Sequence, residues 1–71
     1  MDFKEWIKQF KDIENPKGDL ARDILNDYNF TKSNEYKEIR RYLNIDCNAC
    51  YQALQVFDQS WLEYEKENQK D

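Results

Sequence analysis

The 71-residue chain has no histidine and only one glycine, one proline, one valine and one threonine. Each scarcity excludes something. Without histidine, the side chain that most often moves protons near neutral pH is missing, and so is a common metal ligand. One glycine cannot build a glycine-rich phosphate loop. So little valine and threonine disfavours strands, and an all-α fold is expected. No apolar run approaches the roughly 20 residues of a membrane span. No basic stretch followed by an apolar segment marks a secretory leader. Two cysteines without such a leader point to a reduced, cytoplasmic setting.

Aromatic rings are plentiful: two Trp, five Tyr and four Phe. A chain of this length makes one domain and buries only about 60% of the surface its unfolded form exposes. Large rings remove much apolar area per residue, so a few of them can build a small core. The net charge of −4 is unevenly placed. Residues 1–45 carry nine Lys/Arg and nine Asp/Glu, whereas residues 46–71 carry two and six. Acidity therefore belongs to the C-terminal third. A uniformly basic nucleic-acid binder is disfavoured, because phosphate contacts dominate such affinity.

Four helices are expected, packed around Trp6, Phe10, Leu20, Ile24, Phe30, Tyr42, Leu54, Phe57 and Trp61. The first starts at Asp2, with Glu5 in a capping-box position, and shows Phe3, Trp6, Ile7 and Phe10 on one face. Lys8 is spaced to pair with Asp12. Asn15 caps the second with Pro16 at the first helical position; Asp19 is the alternative cap. Leu20, Ala21, Ile24, Leu25 and Tyr28 then point inward. Thr31 or Ser33 caps the third helix, which carries Tyr36, Ile39, Tyr42 and Leu43 and ends at Asn44-Ile45-Asp46. The longest runs from Cys47, capped by Asp46, with Cys50, Leu54, Phe57, Trp61 and Tyr64 on one stripe. Residues 1–66 form the domain, and residues 67–71 form a frayed acidic tail.

The run Gly18-Asp19-Leu20-Ala21-Arg22-Asp23-Ile24, followed by Asp27, Phe30, Tyr36, Ile39, Tyr42-Leu43, Phe57-Asp58, Trp61 and Tyr64, resembles the YozE-like family of small bacterial proteins. That resemblance spans roughly residues 3–64 and implies a compact helical fold similar to a sterile alpha motif. It implies no reaction, cofactor or substrate. Thr31 stands where the family usually has proline, and Cys47 and Cys50 fall where the family varies.

Cys47-Asn48-Ala49-Cys50 has the spelling of a redox or metal motif. A thioredoxin-like site needs a βαβ setting, and zinc needs about four ligands, which only two copies of the chain would supply. Cys50 is therefore expected in the core stripe, with Cys47 incidental and no metal or cofactor bound. Asp19, Asp23 and Asp27 recur every four residues along one helix face; capping, dipole complementarity and solvation are their expected roles. Lys37, Arg40 and Arg41, with Lys32 ahead of them, form a basic patch, with Glu38 placed to offset Arg41. Asp58, Glu63, Glu65 and Glu67 form an acidic face. No nucleophile has a neighbouring base, so an enzyme is not expected.

Three functions remain. The first is a monomeric, non-catalytic module that binds another protein. The second is a phage or mobile-element inhibitor whose acidic face, through Asp58 and Glu63, imitates nucleic acid. The third is weak DNA or RNA binding through Lys37, Arg40 and Arg41. A shared fold would not by itself confer a shared partner.

Overall fold

The computed structural model of the protein describes residues 1–47 and 49–68. Helix α1 (Phe3–Ile7) continues into a 3-10 turn (Lys8–Phe10), then α2 (Pro16–Leu25), α3 (Tyr36–Arg41), a π-helical turn (Tyr42–Asp46) and α4 (Tyr51–Asn68). No strand occurs among the described residues. At 18 residues α4 is the longest element, as expected.

The caps explain the starts of α1 and α2. Asp2 accepts a hydrogen bond from the Glu5 N–H at 2.9 Å, satisfying one of the donors a helix start leaves unpaired. Asn15 does the same for Gly18 at 2.7 Å, with Pro16 at the first helical position. Asp19 therefore lies inside α2 and does not cap it. The 3-10 turn tightens the chain after Ile7, so the spacing that would bring Lys8 to Asp12 is lost. Asp12 pairs instead with Lys11 at 3.5 Å.

Helix α3 starts later and differently than expected. Thr31 Oγ1 accepts from the Ser33 N–H, and Ser33 Oγ accepts from the Glu35 N–H, each at 3.2 Å. Both hydroxyls thus fold the approach to the helix, and Glu35 occupies the cap position without a side-chain bond. Asn44-Ile45-Asp46 does not break the helix either. The chain widens into the π turn, where the Cys47 N–H reaches the Tyr42 carbonyl at 3.1 Å. Asp46 closes that turn, so it cannot cap α4. Cys50 precedes α4, its carbonyl accepting from the Leu54 N–H at 3.1 Å. This later start leaves Cys50 exposed, while Leu54, Phe57, Trp61 and Tyr64 of the same stripe are buried.

Phe3, Trp6, Ile7, Leu20, Ala21, Ile24, Phe30, Ile39, Leu43, Leu54, Phe57, Trp61 and Tyr64 make the core. Phe10 and Tyr42, expected inside, are only partly buried against it. Tyr28 is fully exposed at 103%, because α2 ends at Leu25 and the helical phase that would turn Tyr28 inward no longer applies. At the other end, α4 continues through Glu67 and Asn68, which the sequence assigned to a frayed tail; residues 69–71 lie outside the described residues. The Trp6 indole N–H donates to Glu67 at 2.9 Å, so that last turn has a tertiary partner.

Gly18 permits the entry into α2. A Cβ at this position would lie 1.8 Å from the Ile13 carbonyl oxygen. Alanine normally favours a helix over glycine by about 1 kcal/mol. Here the clash should reverse that sign: Gly18→Ala should lower the denaturation midpoint. Trp61→Ala should destabilise the fold by about 3–5 kcal/mol, the usual range for truncating a buried aromatic, as read by chemical denaturation.

Candidate interaction site

Helices α2 and α4 pack against each other and leave an open groove along their outer seam. Its floor is apolar, formed by Leu20 from α2 and by Ala53 and Val56 from α4. Asp19 and Asp23, one helical turn apart, make one wall; Gln52, Gln55 and Gln59 make the other. Pro16, Cys50 and Asp58 also line the groove. Leu20 and Val56 belong to the core or pack against it, so the floor is anchored. Chemically this concavity can hold an apolar side chain and hydrogen-bond a polypeptide along its edges.

The charged residues singled out in the sequence are largely turned toward one another. Arg40 and Asp58, assigned to opposite patches, form a two-point ion pair at 3.0 and 3.3 Å. Tyr36 donates its hydroxyl to the same carboxylate at 2.7 Å. Partial burial pushes the Asp58 carboxyl up, but the bonds from Arg40 and Tyr36 outweigh it and hold it below its ordinary value. Donating that bond, and then burial, raise the Tyr36 phenol above its ordinary value. Glu63 pairs with Lys17, whose ammonium also lies 4.5 Å from the centre of the Phe10 ring. Lys37 and Arg41 are exposed, and neither has an ion-pair partner among the described residues; Glu38 does not close on Arg41 as its spacing suggested. Sequence spacing within one helix could not reveal the Arg40–Asp58 and Lys17–Glu63 pairs, because both join separate helices.

The row of aspartates is also divided. Asp19 pairs with Arg22, whose guanidinium donates to the carbonyls of Lys11 and Ile13. Asp23 is exposed in the groove wall. Asp27 lies beyond α2 and accepts from the Tyr42 hydroxyl at 2.6 Å, the Asn29 N–H at 2.9 Å and the Cys47 thiol at 3.6 Å. The Tyr42 bond is the main reason the Asp27 carboxyl is held below its ordinary value; desolvation opposes it. That same bond raises the Tyr42 phenol well above an ordinary tyrosine. Desolvation raises the Cys47 thiol, the reverse of the activation expected at a helix N-terminus. Cys47 sits ahead of α4 rather than in its first turn.

The arrangement matches a family model described as YozE SAM-like fold over residues 3–66. The chain belongs to the YozE SAM-like family. Its helical architecture and long final helix accord with the resemblance carried by the Gly18–Phe30 run and the later aromatics. No curated protein and no solved structure matches the chain. Among the described residues of this YozE-like domain, no helix is long and apolar enough to cross a membrane. No group of three or more acidic or cysteine side chains is placed to hold a metal there.

The Asp27–Tyr42 bond should be visible in the pH dependence of stability. A carboxyl with a folded pKa below its ordinary 3.8 binds fewer protons folded than unfolded. Its stabilisation is complete above that ordinary value and is lost as pH falls through the lower folded one. Tyr42→Phe should reduce the melting temperature near neutral pH and flatten its decline in acid. The two proteins should converge once the carboxylates are protonated. Melting curves collected across the acid range check this.

Proposed function

We propose that this YozE-like domain is a monomeric, non-catalytic, cytoplasmic module that binds another protein through the α2–α4 groove. The observation that carries the reading is the anchored apolar floor of Leu20, Ala53 and Val56, open to solvent between two polar walls. Concave surfaces with an apolar floor and a few polar groups are common binding sites. The sequence supports the non-catalytic part: it contains no histidine and no glycine-rich loop.

The charge-driven alternatives have less support. Of the four carboxylates in the acidic-face hypothesis, Asp58, Glu63 and Glu67 already have partners in Arg40, Lys17 and Trp6. Imitating a row of phosphates would require releasing them. Arg40 is likewise occupied, which leaves Lys37 and Arg41, with Lys32, for nucleic acid. So few phosphate contacts give weak, steeply salt-dependent binding.

Affinity capture from cell extract with the wild-type chain tests the assignment against three variants of verified fold. Ala53→Arg should block the groove and abolish retention of a defined protein. Lys37→Glu with Arg41→Glu, and Glu63→Lys with Glu65→Lys, should retain it. A partner unaffected by Ala53→Arg would overturn the assignment. So would a duplex mobility shift at physiological salt that the Lys37/Arg41 reversal removes.

A further inference from the structure

Three carboxylates line the groove. On α2, Asp19 and Asp23 flank Leu20; on α4, Asp58 joins the neutral amides of Gln52, Gln55 and Gln59. No lysine or arginine contributes to the lining. The neighbouring cations are already paired. Arg22 is turned to the Lys11 and Ile13 carbonyls and to Asp19. Arg40 holds Asp58, and Lys17 is paired with Glu63 over the Phe10 ring. Asp23 is exposed and has no hydrogen-bond or ion-pair partner among the described residues. The groove thus combines apolar contact with three carboxylates, of which Asp23 has no cation against it among the described residues.

Resting on the groove as the protein-binding surface, we propose that its occupant is a cationic segment of a partner protein, with apolar side chains seated on Leu20, Ala53 and Val56 and a lysine or arginine facing Asp23. Three features select this chemistry. Apolar contact requires side chains that a bare polyamine lacks. The glutamine amides can both donate and accept, which suits a peptide backbone crossing the α4 wall. An acidic segment or a phosphate chain would bring like charge against Asp23, and such juxtaposition disfavours wrong partners.

The test uses the isotopically labelled full chain in backbone amide NMR titrations with three probes. These are a short synthetic peptide alternating lysine and leucine, its glutamate–leucine counterpart, and spermidine. The lysine–leucine peptide should shift amides of α2 around Leu20–Asp23 and of α4 around Ala53–Gln59. Asp23→Lys should weaken that peptide about fivefold, the scale of one exposed ion pair at about 1 kcal/mol, and should improve binding of the glutamate–leucine peptide. Asp12→Lys, outside the groove, should leave both unchanged. Equal binding of the two peptides by the wild-type chain would overturn the proposal. Shifts scattered over the surface, or the same shifts with spermidine alone, would also overturn it. If Ala53→Arg abolishes capture of the cellular partner and Asp23→Lys does not, the groove remains the binding surface and the cationic occupant is wrong.

Discussion

The Phe3 ring is the contact on which the rest of the structure depends. It lies within 5.2–5.8 Å, centre to centre, of Trp6, Phe57, Trp61 and Tyr64. Helix α1 has five residues, too few to be stable alone in water. It persists because Phe3, Trp6 and Ile7 insert against α4. With α1 seated, Trp6 reaches Phe10, and the chain can turn into α2 over the close approach at Gly18. Tyr36 extends the same cluster on the other side by stacking on Phe57 at 5.6 Å. One ring system therefore links the first, third and fourth helices.

Polar bonds then set the orientation of what the rings hold together. Asn34 accepts from the Phe3 N–H at 2.7 Å and donates to the Tyr64 hydroxyl at 3.0 Å, tying the loop before α3 to α1 and α4. The Tyr36–Arg40–Asp58 set joins α3 to α4, and the Asp27–Tyr42 bond joins the end of α2 to the π turn. These interactions use charges that would otherwise give the surface two opposed patches. One of them holds Arg40 on Asp58, a carboxylate that lines the α2–α4 seam. The binding chemistry proposed for the groove thus follows partly from how the fold is braced.

Local chemistry made much of the fold legible. Asp2 and Asn15-Pro16 are short-range signals, and both helix starts occur where those residues place them. The spacing of Leu54, Phe57, Trp61 and Tyr64 identified the buried face of α4 because a long helix keeps its phase. Phase failed where helices were short or irregular. Helical spacing carries α2 on to Tyr28, beyond its end at Leu25, and α4 back to Cys50, ahead of its start at Tyr51. The π turn has no compositional signature, and its extra width displaced the expected cap at Asp46. The groove was not legible as such: its floor residues come from two helices, and only their packing makes them neighbours. The same applies to Arg40 and Asp58, which the sequence placed in competing sites and the fold joined in one ion pair.

The contacts of α1 with the far end of α4 have a mechanical consequence. The Tyr64 hydroxyl donates to the Met1 carbonyl at 2.6 Å, and Trp6 is bonded to Glu67. The first residues of the chain and the last turn of α4 therefore lie at the same pole of the molecule. Tension applied at Met1 would meet the Tyr64 bond first and the Phe3 ring next along the chain, so the first residues act as a latch on the end of α4.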